Sequence, residues 1–169
     1  SLLLGIVEVG DDVNVSMLTL NARDITIGGL FLAVSGTQSH GLQYAEQAIQ
    51  NGVAAIVFDP KFGGDLLSKR FANRDDIVML ELDDLSKYVS EIASRFYQRP
   101  SKEIPVVGIT GTNGKTSVSH FIAQAMGANQ PCAVIGTLGW GFLGGLTKTV
   151  NTTPDAVSIQ RSLSGLLDE

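Results

Sequence analysis

Residues 105 to 126 read as an apolar run, a glycine-bearing turn and a second apolar run of different period: "PVVGI", then "TGTNGKTS", then "VSHFIAQAM". The first run suits a buried strand, and in the last Val118, Phe121, Ile122, Ala125 and Met126 recur at helical spacing. A strand that feeds a helix through glycines gathers unpaired backbone N–H groups and the positive end of the helix dipole around one small volume. That volume suits a phosphate. Gly111 and Gly114 permit positive φ and close approach of backbone to an anion, Lys115 adds a point charge for the β and γ phosphates, and Thr116 has the hydroxyl that such loops place on Mg²⁺. Thr112, Asn113 and Ser117 complete the expected triphosphate-binding turn, with Lys115 as the charge at the phosphates and Thr116 as the metal-side group. The general G-x-x-x-x-G-K-[ST] formula asks for glycine at position 109, where this chain has Ile109.

The half before this turn alternates short strands and helices. Strands are expected at 16–20, 30–34, 53–58 and 77–82, and helices at 44–52 and 65–73, which is the pattern of a small α/β sheet domain. Asp83 and Asp84 precede Leu85, Tyr88, Val89, Ile92 and Phe96, spaced for one helix face that ends before Pro100. The boundary between a first domain, 1–83, and a second, 84–169, is expected at the double aspartate, with the connector 98–105 as the other possible place. After the turn a strand is expected at 132–137, followed by the glycine-rich stretch 136–145. A last helix begins near Pro154, capped by Thr153 or Asp155, with Ile159, Leu163, Leu166 and Leu167 as its buried stripe.

Composition removes several classes. The 169 residues are 44% hydrophobic, enough for one or two small cores, yet no run approaches the roughly 18 to 20 apolar residues of a membrane span. The start has no basic stretch ahead of an apolar one, so a cytoplasmic protein is expected. A single cysteine, Cys132, cannot form an internal disulfide and reads as a small core residue. A net charge of −5 has no footprint for nucleic acid. His40 and His120 have no Cys or His neighbours at metal spacing, which leaves zinc without support.

"GITGTNGKTS" resembles the ATP-binding signature of the Mur ligases, whose shorter G-T-N-G-K-[ST] form accounts for Ile109. "GTLG" at 136–139 and "NTTPD" at 151–155 are similar to the branch of that family that adds the third residue of the peptidoglycan stem peptide. "LTLNAR", the stretch 28–58 and "RFYQRPS" are similar to that branch's uridine-binding domain and domain junction. The resemblance implies a small N-terminal uridine-binding α/β domain followed by the first part of a P-loop central domain. Carried across, it implies that Leu20, Ala22, Thr37, Gln38 and Ser39 meet the UDP-sugar and that Asn151, Thr152 and Thr153 meet its sugar-peptide portion. Two stretches depart from the family pattern: "LNAR" has Asn21 and Ala22 where Asp and Ser are usual, and "GTQSHG" has His40 in place of Asp. Ala22 has no side-chain hydrogen bond to offer, which moves that contact toward backbone groups.

The activity implied is ATP- and Mg²⁺-dependent amide formation. The carboxylate of UDP-MurNAc-L-Ala-D-Glu is phosphorylated, and the acyl phosphate is attacked by a diamino acid, meso-diaminopimelate or L-lysine, in a monomeric enzyme. No acidic residue follows the 132–137 strand, and nothing before Glu169 resembles the family's Glu and His metal motif or its carbamylated lysine. The chain is therefore expected to be a fragment without turnover of its own. Three alternatives stay open: the sister ligase that adds D-Ala-D-Ala, a P-loop kinase or NTPase, which needs a nearby acid or arginine, and a nucleotide-binding module without ligase activity.

Overall fold

The apolar runs of the first half assemble into one parallel sheet. The computed structural model describes residues 2–8, 13–148 and 154–168, and the chain divides into two units, Ser1–Phe96 and Tyr97–Glu169. In the first, strands β1 (Met17–Thr19), β2 (Gly29–Ala33), β3 (Val53–Phe58) and β4 (Val78–Glu81) lie in the order β1-β2-β3-β4, each parallel to the next. Helices α1 (Ala45–Gln50), α2 (Gly64–Ser68) and α3 (Leu85–Phe96) complete the unit. Every residue of β2 is buried, as a continuous apolar run on a parallel strand requires when both sheet faces are covered. Phe31, Ala33, Ile56 and Phe58 join Leu42, Ala45 and Ala48 in one core. Their alternates Leu30, Leu32 and Val57 point the other way and are equally buried.

α3 buries Leu85, Val89, Ile92 and Ala93 within this unit. The two compact units divide after Phe96, beside the connector 98–105 that was the other place expected for a boundary, and not at the double aspartate. A double aspartate announces the start of a helix, and periodicity does not say which core the helix will join.

The second unit holds α4 (Lys115–Gly127), β5 (Ala133–Gly136), β6 (Gly139–Phe142) and α5 (Ala156–Leu167). β5 and β6 form an antiparallel hairpin, so the stretch 136–145 contains a strand that its glycines conceal. The expected strand at 105–110 is not formed, and Val106 and Val107 are exposed. A strand exists only where a neighbour takes its backbone groups, and among the described residues none pairs with this one. α5 is capped by Asp155, whose carboxylate accepts from the Ser158 N–H at 2.9 Å. Its buried side is Val157, Gln160, Ser162 and Leu163, while Ile159 and Leu167 are exposed. The helix is thus rolled relative to the expected stripe, and Trp140 lies against Gly165, where a Cβ would stand 3.1 Å from the indole.

Candidate functional site

The glycine turn is shaped by two residues that only glycine serves well. Gly111 has φ +149° and Gly114, the N-cap of α4, φ +78° with ψ −2°, the region where a Cβ is strained. No side chain caps this helix. Its ladder begins with the Val118 N–H donating to the Gly114 carbonyl at 2.9 Å. Among the described residues, the amides of Gly114, Lys115, Thr116 and Ser117 have no protein acceptor. Four donors at the positive end of a 13-residue helix are thus available to an anion.

Lys115 Nζ folds back to donate to the Gly111 carbonyl at 2.5 Å and to the Thr112 carbonyl at 3.5 Å. Thr112, Asn113 and Ser117 are exposed along the same turn, and Thr116 is half-buried. Thr137, which sequence reasoning did not single out, places its hydroxyl 3.2 Å from that of Thr116. The one available signal was "GT" at the end of the strand that follows α4. The open amides and the Lys115 ammonium form a donor set that fits a polyphosphate, and the Thr116 hydroxyl oxygen beside them is a neutral lone-pair group of the kind Mg²⁺ takes. Among the described residues no group of three His, Cys, Asp or Glu side chains gathers to hold a metal.

The residues expected to meet the UDP-sugar, where described, belong to the first unit. β1 and β2 are parallel neighbours, so Leu20 and Ala22, after β1, and Thr37, Gln38 and Ser39, after β2, emerge at one edge of the sheet. This is the carboxyl end, where open α/β sheets bind ligands. Thr37 and Gln38 form the exposed tip of a tight turn closed by the Gly36 N–H donating to the Ser39 carbonyl at 2.9 Å. Leu20 and Ser39 are half-buried. Ala22 is 3% exposed and belongs to the core; its carbonyl accepts from Asn51 Nδ2 at 3.0 Å. Asn151, Thr152 and Thr153 lie outside the described residues.

Both departures from the family pattern keep a capping acceptor. Asn21 Oδ1 accepts from the Arg23 N–H at 3.2 Å, and Asn21 Nδ2 donates to Asp24 at 3.1 Å. His40, 4% exposed, accepts from the Leu42 N–H through Nδ1 at 3.0 Å. Its Nε2 lies 2.8 Å from the Asp59 carbonyl, which makes Nε2 the protonated nitrogen and ties the loop after β2 to the loop after β3. The packing there leaves no room. A Cβ on Gly41 would stand 2.7 Å from Ala33 Cα, and one on Gly64 2.8 Å from His40 Nε2.

Charge gathers at the same sheet edge, after β3 and β4. Lys61 donates to Asp84 at 2.8 Å and Lys87 to its other oxygen at 2.6 Å. The Lys61 hydrogen bond, then that of Lys87, pull the Asp84 carboxyl down to about 2 from its usual 3.8. The same bond raises the Lys61 ammonium above its usual value. All three groups are well exposed, so the pairs order the loop more than they stabilise the fold.

Two family models match this chain in succession: the catalytic domain of the Mur ligase family over residues 14–97 and the Mur ligase middle domain over 109–169. Curated relatives include the UDP-N-acetylmuramoyl-L-alanyl-D-glutamate–2,6-diaminopimelate ligases of Ectopseudomonas mendocina, 40% identical over 150 residues, and Coxiella burnetii, 39% identical over 155 residues. Those alignments take in 88% and 90% of this chain and 30% of each relative, so the chain spans about a third of their length. A solved structure of a ligase of that name aligns over 96% of this chain and 32% of its own, with TM-score 0.65 at 24% identity. The MurF ligase from Thermotoga maritima in complex with ADP aligns over 91% of this chain and 30% of its own, with TM-score 0.54 at 20% identity. At such identities the two solved structures speak to the fold, while the successive family matches cover nearly the whole sequence. The chain belongs to the Mur ligase family.

Proposed function

We propose that this chain supplies the nucleotide-sugar and ATP sites of an ATP-dependent amide ligase of peptidoglycan precursor synthesis. The ligase adds a diamino acid, meso-diaminopimelate in this reading, to UDP-MurNAc-L-Ala-D-Glu. The observation that carries the proposal is the open turn Gly111–Ser117, with four unpaired amides and a lysine folded over them. The names of the curated relatives support the choice of substrate and of diaminopimelate. The proposed enzyme is a cytoplasmic monomer; among the described residues no helix is long and apolar enough to cross a membrane.

The chemistry follows from the charges involved. A carboxylate is a poor acyl donor, so one carboxylate oxygen attacks the γ-phosphorus of ATP, the bond to the β,γ-bridging oxygen breaks, and ADP leaves. The amine of the diamino acid then attacks the acyl phosphate, loses a proton and expels inorganic phosphate. Two anions must meet in the first step. The amides of Gly114–Ser117 and the Lys115 ammonium, released from the Gly111 carbonyl, neutralise the developing charge. Mg²⁺, when bound, would supply further neutralisation, and the Thr116 hydroxyl is the group on this chain that would hold it. In this reading Thr37, Gln38 and Ser39 at the sheet edge, with Leu20 and the backbone at Ala22, bind the UDP portion. Asn151, Thr152 and Thr153 bind the sugar-peptide portion.

Calorimetric titration of the 169-residue chain with ATP and, separately, with UDP-MurNAc-L-Ala-D-Glu tests the two-site reading. Lys115→Ala is expected to lower ATP affinity by about tenfold or more, the loss of a charged hydrogen-bond donor, and to leave the nucleotide-sugar unchanged. Gln38→Ala is expected to do the reverse. Equal loss of both ligands in a folded variant overturns the reading. The 169 residues alone are expected to form no amide product from ATP, nucleotide-sugar and diamino acid.

A further inference from the structure

We infer that Thr137 is a positioning residue for the ATP site, taking the proton of the Thr116 hydroxyl so that the Thr116 oxygen keeps a lone pair for the metal ion that accompanies the phosphates. The inference rests on the ATP reading above and adds a residue to it. Thr116 lies in the first turn of α4, and Thr137 follows the last residue of β5, in the two-residue turn that Gly136 and Gly139 close. Their hydroxyl oxygens are 3.2 Å apart across 21 residues of sequence, and either can be the donor.

The direction is decided by what a cation asks of a hydroxyl. Oxygen that coordinates Mg²⁺ offers a lone pair and must send its proton elsewhere, because an O–H pointed at the cation opposes binding. A threonine in a helix commonly donates to the carbonyl four residues back, which here is that of Thr112. The Lys115 ammonium sits 3.5 Å from that carbonyl, and the Thr116 hydroxyl pairs with Thr137 instead. Thr137 Oγ1 is therefore the acceptor available to the Thr116 proton, and the pair has the polarity a metal-facing Thr116 needs. A threonine at 137 also holds its hydroxyl more firmly than serine, since its branched Cβ limits χ1. Thr137 is exposed, so its side chain contributes little to the core, and an effect of removing its hydroxyl reads the contact itself.

The test is titration of the 169-residue chain with ATP, once with excess Mg²⁺ and once with EDTA, for wild type, Thr137→Val, Thr137→Ala and Thr137→Ser. Thr137→Val and Thr137→Ala are expected to weaken Mg²⁺-dependent ATP binding by about threefold to tenfold, the size of one neutral hydrogen bond, while affinity in EDTA stays at the wild-type value. Thr137→Ser is expected to restore most of the loss. A contact that merely steadies the fold predicts equal weakening with and without Mg²⁺, and that result overturns the inference, as does unchanged binding in both. Wild-type chain that binds no ATP at all overturns the ATP reading and this inference with it. Binding that Lys115→Ala abolishes and Thr137→Val leaves intact removes this inference alone.

Discussion

The two units bury their apolar residues to very different extents. In Ser1–Phe96 the sheet is closed on both faces, and Phe31, Leu32, Ile56 and Leu85 are no more than 1% exposed. In Tyr97–Glu169, Phe121 is 67% and Val107 66% exposed, and Val118, Met126 and Leu138 lie in water as well. A sheet of four parallel strands can be covered by its own connections. A two-stranded hairpin with two helices has too little surface to cover the apolar face of α4. The carboxyl end of the first unit's sheet is the edge of a finished core, whereas the glycine turn of the second unit is a local motif held by the turn itself.

Substitutions can break this comparison. The largest effect is expected from Phe31→Ala, which empties the first unit's core and should cost about 3–5 kcal/mol in chemical denaturation. A cost below about 1 kcal/mol would show that the first core is as loose as the second. His40→Ala should cost less, about 1–3 kcal/mol, because it strands the Leu42 N–H and the Asp59 carbonyl inside the protein. It should also weaken nucleotide-sugar binding while sparing ATP; an unchanged sugar affinity would separate the His40 tie from the ligand loop.

Acid titration gives a finer probe. Asp84 is held at about 2 by Lys61 and Lys87, so its folded value lies below its unfolded one. Its contribution to stability is complete above the usual 3.8 and is lost as pH falls from there through 2. Carboxyl NMR should find its midpoint near 2, rising toward 3.8 in Lys61→Ala; a wild-type midpoint at 3.8 would mean that the pairs do not form in water. The smallest effect is expected from Phe121→Ala, within about 0.5 kcal/mol of zero, and a loss comparable to that of Phe31→Ala would show this helix face to be covered in solution.

Local signals carried most of the first unit. Each of its four strands is an apolar run bounded by turn residues, and all four formed where the alternation of strand and helix placed them. The glycine turn and the helix after it were readable because glycines, lysine and a following apolar helix pattern have a joint physical meaning within a short stretch. What stayed hidden depends on partners distant in sequence. "PVVGI" has strand chemistry and no neighbour to pair with, and β6 is written in glycines that look like a loop. His40 reads as a polar loop residue until the Asp59 carbonyl appears opposite its ring. Gln160 is buried at 9% exposure with Oε1 unpartnered, on a helix that lays Gly165 against Trp140. Thr137 becomes visible only when a hairpin turn meets the start of α4.

The ammonium of Lys115 rests on the Gly111 carbonyl, which makes the turn its own latch. In the proposed reading, a triphosphate that takes up this ammonium displaces an internal contact rather than filling a void. The lysine side chain is thereby already held at the turn, so that less of its freedom remains to be lost when it changes partner.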